Sequence, residues 1–393
     1  MNIKKIALFI ALFLFCFTII SNISKASSDE NDTRYFVKSN ASFWKKSFGV
    51  RHSFDNGFTS DLNDWQLKLA KLFNVEIEPV KKLNILVTDS AIEKPKNVRS
   101  EPVDYISWGV KAIYGDSLLE STSGGLGVNV AVLDTGIIKH PDIEKNIVDC
   151  KDFSTNKPIV DGKCEDKNGH GTHVAGIIAA NGGTDGKGIY GVAPEASLYA
   201  YKVCSNNGSC WADDVAVAIK TATDKGANII NLSLGSDLPS DLIINAISYA
   251  VSKDVLVIAA AGNDGPDSGS IDYPAADPNV ISVGAVDIDG NVPDWSARGI
   301  NSTTEQYSKQ DKDVEFAAPG VNVESTFKDG GYSILSGTSM AAPHIAGLAA
   351  KLWPKDTEKP AEVVRDSLHK ISEDILPPYD DDASGWGMPV LNF

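Results

Sequence analysis

Short runs of apolar, mostly β-branched residues alternate with longer helical patterns from about residue 103 to the end of this chain. Such runs are typical of strands buried on both faces, and their alternation with helices predicts a mostly parallel sheet covered by helices on both sides. The predicted strands are 128–133, 198–203, 229–234, 255–261 and 280–286, and the predicted helices are 211–225 and 241–252. Ligands of such sheets bind at the carboxyl ends of the strands, so polar residues there are the first candidates for function.

Charge divides the chain into two parts after a leader. Residues 27–102 contain 12 basic and 11 acidic side chains, whereas 103–393 contain 21 and 41, so the acidity lies in the second part. With a net charge of −16, the chain is not expected to bind nucleic acid or anionic lipid, and cationic partners are favoured. We expect 103–393 to form the large α/β domain. We expect 27–102 to be a small α+β module that ends in an exposed connector over 89–102.

The small module carries two local signals. Asn63 followed by Gln66 resembles a capping box and predicts the start of a helix. The alternation over 75–79 predicts a half-buried strand. Four large apolar residues of the helix are expected to share one inward face: Trp65, Leu69, Leu72 and Phe73.

The leader has the layout of a secretory signal peptide over residues 1–26. Lys4 and Lys5 precede an apolar run over 6–20, and small or polar residues follow it. This run is shorter than the roughly 20 residues that a spanning helix needs, although a retained anchor is the alternative. We therefore expect a secreted, extracellular protein with no stable membrane insertion after the signal, including Cys16, is removed.

Four cysteines remain after the signal: Cys150, Cys164, Cys204 and Cys210. An even number in an exported chain predicts two disulfides, for which three connectivities are possible. The local one would close two short surface loops. A zinc site is not favoured, because the short C-x-x-C spacings of such sites are missing.

The first candidate catalytic residues follow the predicted strand 128–133. Asp134 comes directly after it in an Asp-Thr-Gly sequence, and His170 lies between glycines at the start of a small-residue helix. A turn-forming aspartate is the alternative for Asp134. Metal binding by His170 and His173 is another alternative, but the H-E-x-x-H pattern is not present.

Ser339 opens a second helix of small residues. Its hydroxyl and backbone N–H would lie at the positive end of the helix, which favours a nucleophile and the anion that it creates. An N-cap role for Thr338 or Ser339 is the alternative. The G-x-S-x-G elbow of α/β-hydrolases is not matched, because Ala341 stands where its last glycine would be.

The Asp, His and Ser boxes, in this order along the chain, resemble those of the subtilisin-type serine proteases, the subtilase family. A fourth box at 260–263 also matches, and the resemblance extends over 108–387. It implies an α/β fold of subtilisin type for 103–393. More loosely, residues 56–79 resemble the family's inhibitory propeptide.

The resemblance implies a role for each residue. Ser339 would attack the peptide carbonyl, His170 would take its proton and pass it to the leaving amine, and Asp134 would hold the imidazole. Histidine suits this task because its ordinary pKa lies near neutral pH. Asn263 would donate its amide N–H to the oxyanion, beside the Ser339 N–H. Two further histidines are expected only to pack: His173 and His344.

The same resemblance implies the substrate-binding residues. Ser233, Leu234 and Gly235 match the strand that pairs with an extended substrate, and Gly262 lies beside the oxyanion donor. Recognition through main-chain pairing predicts broad specificity. Asp272 departs from the small residue common at the pocket floor, which predicts a preference for Arg or Lys before the scissile bond. An exposed loop aspartate is the alternative.

Calcium is the expected cofactor. Asp142 matches a calcium carboxylate of the family, and 181–188 matches the ligand loop, in which Asp185 would be a second donor. The loop is longer and richer in glycine than the family pattern, and a turn-capping role for Asp142 is the alternative.

As a propeptide, residues 27–102 would act as an intramolecular inhibitor and folding chaperone, and the protein would mature by cleaving itself. Arg99, Lys94 and Lys96 are candidate cleavage positions for a pocket that prefers basic residues. The expected product is a monomeric endopeptidase for protein or peptide substrates. The alternatives are a processing protease with one protein target and a catalytically inactive binding module.

Overall fold

The computed structural model describes residues 34–88, 98–155, 159–301, 307–376 and 379–391. The predicted signal peptide, with Cys16, and most of the predicted connector lie outside these ranges. Within the ranges, no helix combines the length and the apolar character needed to cross a membrane.

The described residues form strands and helices that are numbered in chain order. The strands are β1 Arg34–Val37, β2 Ser53–Phe54, β3 Gly57–Asp61, β4 Ile77–Pro79, β5 Lys82–Ile85, β6 Asn129–Asp134, β7 Ile147–Asp152, β8 Val160–Asp161, β9 Ser197–Lys202, β10 Ser209–Trp211, β11 Ile229–Leu232, β12 Leu234–Gly235, β13 Leu256–Ala260, β14 Ile281–Val286, β15 Phe316–Pro319, β16 Val323–Thr326, β17 Tyr332–Leu335, β18 Ser372–Glu373 and β19 Met388–Pro389. The α-helices are α1 Ser42–Phe48, α2 Asp64–Leu72, α3 Trp108–Tyr114, α4 His170–Ala179, α5 Ala212–Asp224, α6 Asp241–Ser252, α7 Thr338–Lys351 and α8 Pro360–Lys370.

Eight strands form the central sheet, in the order β15-β14-β13-β11-β6-β9-β7-β8. All neighbouring pairs are parallel except β7 and β8. The predicted mostly parallel sheet is therefore confirmed. One predicted strand is wrong in its extent: 229–234 is interrupted, because β11 ends at Leu232 and the chain leaves the sheet at Ser233, so that β12 pairs with β5.

Alternate residues of each strand face opposite layers of helices. On β6, Val130 and Val132 belong to the core that contains α4 and α7, whereas Ala131 and Leu133 belong to the core that contains α5 and α6. Helices α5 and α6 are the two that the sequence predicted. Burial on both faces explains why the strand is apolar between its first and last residues, Asn129 and Asp134.

The amino-terminal segment forms its own antiparallel sheet, β2-β3-β1-β4, with α1 and α2. The capping box is confirmed, since Asn63 Oδ1 accepts the Gln66 N–H at 2.9 Å and Gln66 Oε1 accepts the Asn63 N–H at 3.0 Å. The predicted inward face of α2 is wrong, because Leu72 and Phe73 are 77% and 59% exposed and the helix buries Ala70 instead. Leu67 and Leu69 are partly buried against the same small core as Ala70.

Both disulfides follow the local connectivity. Cys150 pairs with Cys164 and Cys204 with Cys210, at sequence separations of 14 and 6 residues. The first joins β7 to the loop before α4, and the second joins the end of β9 to β10. The fold thus selects one of the three pairings that the sequence allowed.

A buried ion pair joins α8 to the sheet. Arg365 Nε and Nη2 donate to the two carboxylate oxygens of Glu315 at 2.7 and 2.6 Å, and His369 Nε2 lies 2.8 Å from one of them. Burial alone would raise the pKa of Glu315, but the charge of Arg365 and the hydrogen bonds lower it to about 2. Glu315 is therefore a buried carboxylate that depends on its partner.

We expect Arg365→Ala to lower the stability of the folded protein by about 3–5 kcal/mol, because it leaves the buried charge of Glu315 without its guanidinium. Chemical unfolding in a Ser339→Ala background, which prevents self-digestion, measures the loss. Lys220→Ala is the control: its ion pair with Asp224 is exposed and should contribute less than about 1 kcal/mol. Equal losses in the two variants would contradict the structural role of the buried pair.

Candidate active site

Asp134 and His170 meet at the carboxyl end of the central sheet. Asp134 is the last residue of β6 and His170 is the first of α4, and His170 Nδ1 donates to Asp134 Oδ1 at 2.7 Å. Gly171 makes this approach possible, because a Cβ at this position would lie 3.0 Å from Asp134 Oδ1 and 2.1 Å from the carbonyl oxygen of Gly136. Both members of the pair are buried.

Asp166, which sequence reasoning missed, holds the turn before α4. Its Oδ1 accepts the Thr135 hydroxyl at 2.9 Å and the Gly169 N–H at 2.8 Å, while its Oδ2 accepts the N–H and hydroxyl of Thr172 at 3.0 and 2.7 Å. The only sequence signal for it was an aspartate just before the helix. Asp166 thereby ties the residue after Asp134 to the first turn of the helix that carries His170.

Ser339 is the second residue of α7, and its hydroxyl is already engaged. Its Oγ donates to the carbonyl oxygen of Ser233 at 2.9 Å and accepts the N–H of Leu86 at 3.0 Å. His170 Nε2 is buried and has no hydrogen-bond partner among the described residues. No hydrogen bond joins His170 Nε2 to Ser339 in this state, because the Ser339 hydroxyl donates to the Ser233 carbonyl instead.

Asn263 follows β13 and is fixed by the start of α7. Its Oδ1 accepts the N–H and the hydroxyl of Thr338, both at 3.0 Å. Gly262 is held by the same residue, since its N–H donates to the Thr338 hydroxyl at 3.1 Å. The Asn263 amide N–H groups make no hydrogen bond to other described residues, so they are available to an incoming group.

An extended segment of the chain itself lies across Ser339. Strand β5 is antiparallel to both β10 and β12, with Leu83 opposite Cys210 and Ile85 opposite Leu234. The β12 edge was predicted from the sequence. The β10 edge was missed, because Cys210 was considered only as a disulfide partner.

The segment continues past the nucleophile candidate in the same extended form. The Ser339 N–H donates to the carbonyl oxygen of Leu86 at 3.3 Å, and the Thr88 N–H donates to the carbonyl oxygen of Ser336 at 3.0 Å. The peptide bond between Leu86 and Val87 therefore lies at Ser339. Gly337 allows the close approach, because a Cβ there would lie 2.3 Å from the Leu86 carbonyl oxygen.

Asp272 lies close to the side chain of Leu86, on the other side of Gly235. A Cβ on Gly235 would lie 2.8 Å from Asp272 Oδ2 and 3.0 Å from Leu86 Cδ1, and one on Gly262 would lie 3.0 Å from the same carboxylate oxygen. Asp272 is 2% exposed, so the alternative of an exposed loop aspartate is wrong. Burial raises the pKa of Asp272 to about 7, with smaller contributions from Asp264 and Asp237.

Asp142 and Asp185 are not joined by a hydrogen bond or a common partner. Asp142 is buried, and its Oδ2 accepts the Ile189 N–H at 2.8 Å and the Tyr332 hydroxyl at 2.9 Å. Its Oδ1 points into the loop 181–188, 3.0 Å from the position of a Cβ on Gly183. Asp185 is exposed, and its Oδ1 accepts the N–H of Lys187 at 3.1 Å.

The two further histidines are packing residues, as predicted. His173 Nε2 lies 3.1 Å from the carbonyl oxygens of Val323 and Ser333, and His344 Nδ1 donates to the Met340 carbonyl at 2.8 Å. Burial lowers the pKa of His173 to about 3 and that of His344 to about 4, so both stay neutral. Among the described residues, neither His170 nor His173 belongs to a group of three side chains placed to hold a metal ion.

A buried charge cluster joins the amino-terminal sheet to α5. We call it the interface cluster: Arg34, Arg51, His52, Asp213 and Asp214. Arg34 Nη1 contacts the two carboxylates at 2.7 and 2.9 Å, while Arg51 Nη2 and His52 Nε2 contact Asp214 at 3.1 and 2.8 Å. Although burial opposes it, these partners lower the pKa of Asp214. Apart from the different charge balance of the two segments, no sequence pattern indicated this cluster.

Comparisons with known proteins agree with this architecture. The sequence profile described as the subtilase family matches residues 125–387. The chain is 45% identical over 369 residues to the subtilisin of Bacillus sp. (strain TA39), which covers 88% of this chain and 87% of the relative. It is 39% identical over 293 residues to the M-protease of Shouchella clausii (strain KSM-K16), which covers 74% and 71%.

Two solved structures are similar to the larger part of the chain. An S41 psychrophilic protease shares 49% identity with a TM-score of 0.70, over 73% of this chain and 98% of its own. Sphericase shares 46% identity with a TM-score of 0.71, over 74% of this chain and 100% of its own. The similarity therefore includes both the sequence boxes and the fold that carries them.

Proposed function

Because this chain belongs to the subtilase family and is a subtilisin-type serine endopeptidase, we propose that it is made as an inhibited precursor, cleaves itself, and acts outside the cell. Its substrates are proteins or peptides, and the mature enzyme is a monomer. The observation that carries the proposal is the extended segment 82–88, which lies across Ser339 as a substrate would.

The contact between Asp134 and His170 supports a catalytic triad. Rotation of the Ser339 side chain away from the Ser233 carbonyl would turn Oγ towards His170 Nε2, which has no other partner. His170 then takes the hydroxyl proton as Oγ attacks the peptide carbonyl and later gives it to the leaving amine. Asp134 keeps the imidazole in the tautomer with Nε2 free and stabilises the charged ring.

Asn263 and the Ser339 N–H are the proposed oxyanion donors. The Ser339 N–H already contacts the Leu86 carbonyl oxygen, which is the atom that becomes the oxyanion when Oγ attacks. Thr338 orients the Asn263 amide by binding its oxygen, which leaves the N–H groups for the substrate. Donors that are fixed before the reaction stabilise the developing charge without reorganisation.

We expect Asn263→Leu to lower kcat with little change in KM, because the lost hydrogen bond forms mainly in the transition state. The expected loss is about 10²–10³, a magnitude known for the equivalent donor of subtilisin itself and not calculated from this geometry. Steady-state hydrolysis of a peptide substrate measures it, with His170→Ala as the background. A KM effect without a kcat effect would assign Asn263 to ground-state binding.

The position of Leu86 supports cleavage between Leu86 and Val87 during maturation. In this step Ser339 Oγ bonds to the Leu86 carbonyl carbon, the bond to the Val87 nitrogen breaks, and His170 protonates that nitrogen. Water then hydrolyses the acyl-enzyme. Arg99, an earlier candidate, forms a bridge with Tyr332 and lies 3.4 Å from Glu324, and its carbonyl has no contact with Ser339. The other two candidates, Lys94 and Lys96, lie outside the described residues.

The interface cluster supports the inhibitory role of the segment before Leu86. After cleavage, the strand contacts of β5 and the ion pairs of Arg34 with Asp213 and Asp214 would still retain the segment in the groove. Separation would leave two buried carboxylates without partners until water reaches them, which opposes release. The same contacts would also help the large domain to fold, as expected of an intramolecular chaperone.

We expect the secreted wild-type protein to carry Val87 at its first new amino terminus, and Ser339→Ala to keep the bond between Leu86 and Val87 intact. Intact-mass and amino-terminal analysis at early times, before any trimming of 87–102, distinguishes the two. Cleavage of purified Ser339→Ala at this bond would contradict self-processing.

Main-chain recognition favours a protease with many substrates over a processing enzyme with one target. Both edges of the groove, β10 and β12, pair with backbone groups of the bound segment, which every peptide provides. Asp272 supports a preference for Arg or Lys before the scissile bond, since its carboxylate lies at the pocket floor. Hydrolysis of denatured casein at several positions would support the broad role, and cleavage of one native protein alone would oppose it.

Calcium would be held by Asp142 and the loop 181–188. The Asp142 Oδ1 atom faces this loop and makes no hydrogen bond among the described residues, so it fits as a donor together with backbone carbonyls. Asp185 fits less well, because it is exposed and caps its own turn. A bound cation would stabilise this glycine-rich loop without taking part in the chemistry.

We expect a chelator to lower the thermal midpoint of the inhibited wild-type enzyme by several degrees, because an emptied site loses the ligand's contribution to folding. The chelator effect should be much smaller in Asp142→Asn and should persist in Asp185→Asn. Scanning calorimetry with and without added calcium measures both. An identical midpoint in chelator and in calcium would contradict a structural site.

A further inference from the structure

The pocket beneath Leu86 combines an apolar occupant with an acidic floor. We propose that this pocket accepts two classes of side chain before the scissile bond, an apolar one in weakly acidic solution and Arg or Lys in alkaline solution. The inference rests on the proposed function, because it describes the substrate specificity of the same site. It adds Asp237 and Asp264 to the residues that determine this specificity.

The geometry places the bound side chain and the acidic floor together. The Leu86 Cδ1 atom and the Asp272 carboxylate both lie within 3.0 Å of the position of a Cβ on Gly235. A side chain with a Cβ at Gly235 or Gly262 would fill this space, so the two glycines create the pocket. The Asp272 carboxyl group therefore lies within about 6 Å of the Leu86 side chain, close enough for a longer side chain at this position to reach it.

Three carboxyl groups converge at this pocket. Asp237, Asp264 and Asp272 each have a carboxylate oxygen within 4.8 Å of the others, and only Asp272 is buried. Asp237 follows β12 and Asp264 follows Asn263, so they approach from the two walls of the pocket. A cation that reaches Asp272 would therefore have two more carboxylates near it.

The charged groups around Asp272 all oppose its ionisation. The groups that act on it are Asp264 and Asp237, and no described cation pairs with it. The Arg298 guanidinium donates to the Ser296 carbonyl at 2.5 Å, and Asp277 accepts the Asn279 N–H at 2.8 Å, so neither neighbour is directed at the pocket. Burial and the two carboxylates bring the pKa of Asp272 to about 7, which lies inside the working range of a triad enzyme.

The protonation state of Asp272 then decides which side chain is favoured. Below its pKa the carboxyl is neutral, and an apolar side chain such as Leu86 can cover it without burying a charge. Above its pKa an apolar occupant would cover a carboxylate and exclude its water. Arg or Lys would instead form charge-assisted hydrogen bonds with it, and binding of the cation would favour ionisation further.

The decisive experiment compares two peptides that differ only in Leu or Arg before the scissile bond. We expect the ratio of their kcat/KM values, Arg over Leu, to rise about 10- to 100-fold between pH 5.5 and 9, with a midpoint near 7. Any effect of pH on the catalytic steps that the two peptides share cancels in the ratio. Asp272→Asn should make the ratio independent of pH, and Asp264→Asn should lower the midpoint.

Asp267→Asn is the matched control, because this aspartate lies in the same loop but outside the three-carboxylate group. It should keep the pH dependence of the wild type. The precursor offers a second measurement if Asp272→Asn does not fold: the rate of self-cleavage of Leu86→Arg, relative to wild type, should rise over the same pH range.

Two results would overturn the inference. One is a wild-type ratio that stays constant from pH 5.5 to 9, and the other is a ratio that still rises in folded Asp272→Asn. Failure to cleave either peptide, together with no reaction of Ser339 with a serine-directed phosphonate, would instead contradict the proposed function. Failure of the inference and failure of the proposed function therefore give different results.

Discussion

Parallel pairing of β6, β11 and β13 is the constraint on which the rest of this structure depends. Because these strands run in the same direction, their carboxyl ends meet at one edge of the sheet. Asp134 is the last residue of β6, and Ser233 and Asn263 come shortly after the ends of β11 and β13. Helices α4 and α7 begin at the same edge, which places His170 and Ser339 there as well. An antiparallel arrangement would send neighbouring strand ends to opposite edges.

The precursor uses this same edge to hold its own substrate-like segment. Strand β5 takes the place between β10 and β12, and Leu86 engages both the hydroxyl and the N–H of Ser339. An engaged hydroxyl explains why His170 Nε2 has no partner in this state. The site thus already holds a peptide. Rotation of the Ser339 side chain towards His170 is the one step that would make this arrangement reactive.

Acidic side chains of the large domain lie at two of its contacts with the preceding part of the chain. Asp213 and Asp214 meet cationic residues of the amino-terminal segment, and Asp272 lies under the bound side chain. The two sites differ in their charge balance. In the first pair, His52, Arg34 and Arg51 lower the pKa of Asp214, whereas burial and the charge of Asp214 raise that of Asp213. Burial and two neighbouring carboxylates raise the pKa of Asp272, which has no cation beside it. Local partners, and not the net charge of the chain, decide which carboxylates stay ionised.

Local sequence determined those features that depend on neighbouring residues. The apolar runs of the central strands, the capping box at Asn63, the helices α5 and α6 and the small-residue boxes around Asp134, His170 and Ser339 could all be predicted, because short-range periodicity and backbone geometry specify them. The tertiary structure alone decided the interruption at Ser233, the inward side of α2 and the burial of Asp272. These depend on which distant segment packs alongside, and no local pattern encodes that choice.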